Sequence, residues 1–239
     1  MRRSPDAPGP FETAHERLRD SRRLRNKMTM DAIVVIGGGG HAKVVIGILR
    51  KLKTHHILGY TDLKGNGSIL GVSFLGSDDE LDKLALERNG LSAALAVGQV
   101  GLGKRRCEIW KRCQSLRLSF PLIVSPGAIV NEGVSGGEAA VVMDGAVINA
   151  GASLGRGAIV NTNSTVEHDA VLEDWVHVAT GATVCGGVTV GRFSMIGAGA
   201  TVIEGLKIAP ECIVGAGATV VRDLTESGVY VGSPARRIR

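Results

Sequence analysis

Residues 125–220, cut in sixes, read SPGAIV NEGVSG GEAAVV MDGAVI NAGASL GRGAIV NTNSTV EHDAVL EDWVHV ATGATV CGGVTV GRFSMI GAGATV IEGLKI APECIV GAGATV. Each hexad closes on an aliphatic residue, from Val130, Val142 and Ile148 through Val184 and Ile196 to Val214 and Val220, and only Gly136 breaks the series. Two residues before the close stands a small or modest side chain, such as Ala128, Ala146, Ala152, Ser164, Ala182, Ala200 or Ala218. An α-helix repeats every 3.6 residues and a half-buried strand every 2, so neither produces a beat of six. A fixed short period of this kind marks a parallel β-helix. Each hexad supplies one short strand and one tight corner, and three hexads close a triangular coil of about eighteen residues. The closing aliphatics point inward and stack along a narrow core, each coil contacting mainly its neighbours. Gly and Asn at the corners accept positive φ at little cost.

Upstream lies a small alternating α/β unit. Ala32 to Ile36 reads as a buried strand, followed by GGGGHA and a helix through about Lys53. Ile57 to Thr61 is a second strand, Asp78 to Arg88 a helix, Ala93 to Val97 a third strand and Gly103 to Cys113 another helix. A short strand leads through Phe120 and Pro121 to a hinge at Ser125 and Pro126. Alternation of this type predicts a parallel sheet with ligands at the carboxyl ends of its strands. The expected division is a basic extension over 1–30, an α/β unit over 31–122 and the prism over 123–239.

The glycine loop has two readings. Gly37-x-Gly39-x-x-Ala42 fits the dinucleotide fingerprint, and Asp62 ends the next strand, near where a ribose-binding acid belongs. The unit, however, supplies only half of the paired framework that a dinucleotide crosses, so one nucleotide or a nucleotide-sugar fits the space better. A tight turn with no ligand is the plain alternative.

Composition narrows the classes. Few aromatics (3%) and 34 glycines suit a stacked solenoid better than a layered globule. No apolar run approaches the roughly twenty residues that span a bilayer, so no membrane association is expected. The net charge of +5 is mostly local, because residues 1–30 hold eight Lys/Arg and four Asp/Glu. That stretch lacks the apolar core of a signal peptide. Without a basic folded face, the charge is no nucleic-acid signal. Cys107, Cys113, Cys185 and Cys212 show neither a disulfide framework nor CxxC metal spacing. A reducing cytoplasm is the expected compartment.

Three stretches carry a resemblance: IVVIGGGGHAKVV (33–45), NTNSTVEHDAVLEDWVHVATGATVCGGV (161–188) and the closing VGSPARRI (231–238). On these the chain, from about Asp31 to its end, resembles the hexapeptide-repeat acyltransferases. Within them it is nearest the branch typified by bacillosamine N-acetyltransferase and sialic-acid O-acetyltransferase. The resemblance implies a left-handed β-helix, an exception to the right-handed crossover rule. It also implies acetyl-CoA as co-substrate without a metal, a nucleotide-linked amino sugar of the UDP-4-amino-4,6-dideoxy type as acceptor, and a role in surface glycan synthesis. A homotrimer with sites between subunits follows from it too.

The resemblance assigns sugar-nucleotide binding to Gly39, Gly40, His41, Thr61, Asp62 and Gly98, with Thr61 departing from an acidic residue seen in some relatives. His168 breaks the apolar and small-residue pattern between Glu167 and Asp169, and its coil neighbours Ala150 and Gly186 are small. Such an imidazole can take a proton from an amine or hydroxyl. A solvated corner histidine is the plain alternative from the residues alone. The resemblance makes His168 the base and Asp169 its acidic partner, and Glu167 stays a second candidate for that support. By the same route His177 contacts acetyl-CoA near the thioester, and Gly186, Ala198 and Ala216 line its pantetheine arm. Asn161 is read either as orienting base or acceptor, or as an ordinary corner Asn.

Two other classes share such a scaffold. A γ-class carbonic anhydrase needs three histidine ligands, and the prism holds only His168 and His177. An O-acetyltransferase of sialic acid and a non-catalytic nucleotide-binding scaffold are the remaining alternatives.

Overall fold

The computed structural model describes residues 31–65 and 67–239. The basic extension expected over residues 1–30 lies outside them. Asp31–Arg239 form one compact unit.

The chain opens with β1 (Asp31–Ile36), α1 (Gly40–Leu52), β2 (His55–Thr61), β3 (Ser68–Ile69), β4 (Val72–Gly76), α2 (Glu80–Glu87), β5 (Ser92–Leu95) and α3 (Lys104–Ser115). The sheet order is β3-β4-β2-β1-β5, parallel except for β3 against β4. β1 reads as an unbroken apolar run because both its faces are covered. Ile33 and Val35 pack with Val45, Ile46 and Leu49 of α1, while Val34 and Ile36 pack with Leu81 and Cys107 on the opposite side. The β3–β4 hairpin was not expected from the sequence. Its two turn residues, Leu70 and Gly71, both have positive φ (49° and 76°), so a leucine fills a place where Asn or Gly would have signalled the turn.

From Ile123 the chain winds as a left-handed parallel β-helix of three sheets. Rungs lie eighteen residues apart, as in Val130↔Ile148↔Val166↔Val184↔Val202↔Val220. The closing aliphatics and the small residues two before them form one core, with Ala146, Ile148, Ala152, Val166, Ala182, Val184 and Ala200 among them. The residue between them points outward. Every sixth residue from Gly133 to Gly217 takes positive φ, whatever its identity, including Ala139, Asn163, Asp169, Trp175, Phe193 and Glu211. The corner geometry dictates the backbone; some of these glycines, such as Gly181 and Gly199, face open space, while others, such as Gly157, make room for the side chain of the next coil.

Trp175 shows what overrides that preference. A bulky side chain at φ 64° costs about 1–2 kcal/mol. Its ring is only 2% exposed, packs edge-on to Trp110 at 5.9 Å and covers Gly157, where a Cβ would meet the ring at 2.2 Å. Burial of such a ring contributes about 1.5–3 kcal/mol, so docking the α/β unit outweighs the local strain. The same unit covers one prism face: the outward residues Val141, Ile159 and His177 are buried there. On the next face the equivalent outward residues are Thr165, Thr183, Thr201 and Thr219, all partly exposed. Lys51–Asp144 (2.6 Å) and Lys104–Glu211 (2.8 Å) tie the helices to the prism edges.

Candidate active site

The glycine loop builds a cleft of about 290 Å³ at the carboxyl ends of the strands. Gly37 has φ 115° and its N–H donates to Thr61 O at 2.8 Å. A Cβ there would sit 2.8 Å from Ala96 O, so both the conformation and the close approach require glycine. The Gly38 N–H donates to Asp62 Oδ2 at 2.5 Å, tying the loop to the end of β2. Gly39 caps α1 with no side chain, and a Cβ on Gly39 or Gly40 would meet nothing within 4 Å. The first turn of α1 therefore faces open space, a ready place for an anion.

Of the residues expected at this cleft, Gly39, Gly40, His41, Asp62 and Gly98 line it. Thr61 does not: it is fully buried and its hydroxyl donates to Asp78 Oδ1 at 2.8 Å. Asp78, Arg105 and Ile109 join the lining from α3 and from the loop before α2, and sequence reading missed them. Burial first, then the charges of Arg106 and His177, push the His41 imidazole down to about 3, so it is neutral.

On the prism, His168 and Asp169 sit at a corner that begins with Glu167. The turn is closed by the Ala170 N–H to Glu167 O at 3.2 Å. The His168 side chain is 66% exposed, and its Nδ1 lies 3.0 Å from Asp169 Oδ2. A carboxylate accepts, so Nδ1 carries a proton, and in the neutral ring Nε2 keeps its lone pair. The Asp169 hydrogen bond raises the imidazole from its ordinary value, with the charges of Asp169 and Glu167 adding to it. Asp169 adopts φ 58°, a conformation Asp tolerates, and its carboxylate lies over Gly151. Nε2 lies over Gly186, where a Cβ would come within 2.6 Å. Glu167 turns the other way and accepts from Asn149 Nδ2 at 2.7 Å, while Asn149 Oδ1 accepts from Asn131 Nδ2 at 2.6 Å. The geometry therefore pairs Asp169, not Glu167, with the ring.

His177 is only 6% exposed, beneath the α/β unit. Its Nδ1 lies 3.1 Å from the backbone carbonyl of Gln99, and its Nε2 lies 3.2 Å from Asn161 Nδ2. A carbonyl can only accept, so Nδ1 donates and Nε2 accepts from the amide. Burial, then Arg106, lowers this imidazole to about 4 and keeps it neutral. Asn161 Oδ1 accepts from the Thr162 N–H at 2.7 Å, and its second amide N–H has no acceptor among the described residues. The structure thus brings His177 together with Asn161, and His168 with Asp169 and Gly186, with no hydrogen bond between the two sets among the described residues. Ala198 and Ala216 are stacked and exposed on the same prism corner as Asn161. The backbone N–H groups of Gly186, Ala198 and Ala216 have no acceptor among the described residues.

Cys185 stands one coil from Glu167, and burial with Glu204 and Glu167 raises its thiol, which stays protonated. All four cysteines are free. Among the described residues no group of three His, Cys, Asp or Glu side chains is placed to hold a metal ion.

The family described as PglD N-terminal domain matches residues 32–108. The acetyltransferase domain of PglB from Neisseria gonorrhoeae FA1090, in complex with acetyl coenzyme A, is 33% identical with a TM-score of 0.81; the match covers 87% of this chain and 98% of that one. A histidine-to-alanine mutant of GDP-perosamine N-acetyltransferase from Caulobacter crescentus, in complex with CoA and GDP-perosamine, is 36% identical with a TM-score of 0.82, covering 88% and 98%. WeeI from Acinetobacter baumannii AYE shares the fold at 22% identity and a TM-score of 0.77. A comparison with curated proteins found no match. Identity of this order along nearly the whole of two such chains, one of them an acetyltransferase domain, places the protein in the hexapeptide-repeat sugar N-acetyltransferase family, to which it belongs.

Proposed function

We propose that the protein transfers the acetyl group of acetyl-CoA directly to the amine of a nucleotide-linked amino sugar, with His168 as general base. The observation that carries this reading is the exposed His168–Asp169 pair, with the far ring nitrogen Nε2 over Gly186. Its relatives are proteins whose complexes hold acetyl-CoA, or CoA with GDP-perosamine. The nucleotide sits at the glycine loop, its phosphates on the first turn of α1 and its remaining contacts at Asp62, Asp78 and Gly98. An acceptor of the 4-amino-4,6-dideoxy type, carried on UDP or GDP, places its amine before His168. The amine attacks the thioester carbonyl, His168 Nε2 takes the proton, and the CoA thiolate leaves. A backbone N–H left free at the corners stabilises the tetrahedral oxyanion.

The pantetheine arm of acetyl-CoA lies along Ala198 and Ala216, whose free N–H groups and missing side-chain bulk suit an amide chain, while Gly186 gives the thioester room beside His168. His177 acts from below the surface, holding Asn161 in place at the thioester end. His168 and the Ala198–Ala216 strip stand on neighbouring corners of one prism, separated by a side six residues long. Both come together when two prisms lie side by side, which supports a homotrimer with sites between subunits. Among the described residues no helix is long and apolar enough to cross a membrane; the reading places the enzyme in the cytoplasm, in surface glycan synthesis, with residues 31–122 for the nucleotide and 123–239 for acetyl transfer.

The test is thiol release from acetyl-CoA with a panel of UDP- and GDP-linked amino sugars beside free sialic acids. Turnover with a nucleotide amino sugar is the expected result. Release with free sialic acids only would move the protein to O-acetylation, and silence with both would leave a nucleotide-binding scaffold.

A further inference from the structure

Next in the chain to Arg105, which lines the cleft, stands a charge with no counter-ion among the described residues. Arg106, in the first half of α3, is 1% exposed. Its Nη1 donates to Gly157 O at 2.6 Å and lies 3.4 Å from Gln99 Oε1, and its guanidinium stands 5.6 Å from the Trp175 ring centre. Its Nε and Nη2 have no partner, and it forms no ion pair among the described residues. Removing a cation from water without pairing it is costly. Its titratable neighbours do not relieve that cost, because burial and Arg106 itself keep His41 and His177 neutral. His41 is the link to the cleft: it lines the cavity beside Gly98, and its own Nε2 is buried without a partner. The uncapped first turn of α1, thirteen residues long, opens on the same space.

We propose that the diphosphate of the bound nucleotide is the counter-ion of Arg106, so that this buried arginine sets the cleft's preference for nucleoside diphosphates over monophosphates and nucleosides. The inference rests on reading the cleft as the nucleotide-sugar site. Arg106 does not line the cavity, so it acts as a fixed field through its wall, where low dielectric strengthens the attraction and salt screens it little. Arg105, exposed on the cavity rim, is screened by solvent and contributes less.

The test is calorimetric titration of wild type, Arg106→Gln, Arg106→Lys and Arg105→Gln with UDP, UMP and uridine, with GDP, GMP and guanosine, and with CoA. Wild type is expected to bind its diphosphate at least 100-fold more tightly than the nucleoside. Arg106→Gln should lose about 10- to 100-fold of that ratio, with nucleoside and CoA affinities unchanged. Arg106→Lys should keep most of the ratio, and Arg105→Gln should change it by only a few-fold. An unchanged ratio in Arg106→Gln overturns the inference while the nucleotide reading stands. No binding of either nucleotide series by wild type overturns both. Should Arg106→Gln not fold, the Arg106 Nε–H resonance of the wild type decides: it should shift on adding the nucleoside diphosphate but not the nucleoside, and immobility with both contradicts the proposal.

Discussion

Gly186→Ala separates catalytic placement from stability more sharply than any change to His168 itself. A Cβ at position 186 would stand 2.6 Å from His168 Nε2 and 2.7 Å from Cε1. Ordinary carbon contacts begin near 3.5 Å, so the ring must withdraw by about 1 Å. That ring is exposed and held only by the 3.0 Å bond to Asp169, so it yields easily and the fold does not. Withdrawal carries Nε2 away from the acceptor and lengthens the bond that fixes its tautomer. A misplacement of about 1 Å costs on the order of 10²-fold in rate. The backbone at 186 is not in the left-handed region, so alanine there should leave the melting temperature unchanged or slightly raised. The comparison is Gly90→Ala, where φ is 77° and a Cβ meets nothing. It should lose about 1 kcal/mol or more of stability and keep its rate. Steady-state thiol release and thermal unfolding on both variants supply the readout. A Gly186→Ala enzyme with wild-type kcat would refute the placement of His168 Nε2 over Gly186 as the working base.

Other outcomes follow from the same geometry. Asp169→Asn preserves φ 58°, which Asn tolerates, but replaces the charged acceptor that raises the His168 imidazole with a neutral amide oxygen. The base works unprotonated, so the rate should rise with pH through an inflection shifted upward from the ordinary histidine value in wild type, and that inflection should move to lower pH in the variant while kcat falls about 10-fold or more; a pH–rate profile with the same inflection in both would contradict the pairing. Cys185→Ala should keep most activity, because burial and two carboxylates hold its thiol protonated; loss of turnover with the fold intact would point to an acyl-enzyme instead. Trp175→Ala should cost about 3 kcal/mol in chemical denaturation, since it empties the seam between α/β unit and prism while leaving a non-glycine residue at φ 64°; a change below 1 kcal/mol would show that Trp175 does not anchor that seam.

The prism was legible because its period is local: each hexad's inward pair is decided within six residues, and Val166 or Ala182 needs no distant partner to declare its place. The His168 corner was legible for the same reason, since Gly186 is simply one coil away. His177 was not. The period says only that it points outward, and its burial follows from the α/β unit lying over that face, a fact set by Trp175, Gln99 and Arg106 from distant parts of the chain. The signal available was Trp175 itself, a bulky residue in a corner position otherwise mostly glycine. Asp78 and Arg105 were missed because they reach the cleft from a loop and a helix that the glycine motif does not include, and Thr61 was misplaced because its side chain turns inward to hold Asp78. The β3–β4 hairpin escaped because Leu70, not Asn or Gly, occupies its turn.

The most direct measurement is the rate of acetyl transfer by His168→Ala on the nucleotide amino sugar that wild type accepts, with nucleotide and CoA affinities measured on the same preparation. Direct transfer with His168 as base predicts a fall in kcat of about 10²–10⁴, with both affinities within a few-fold of wild type. A kcat within a few-fold of wild type would contradict it, and the exposed pair at the prism corner would then be a solvated feature of the coil.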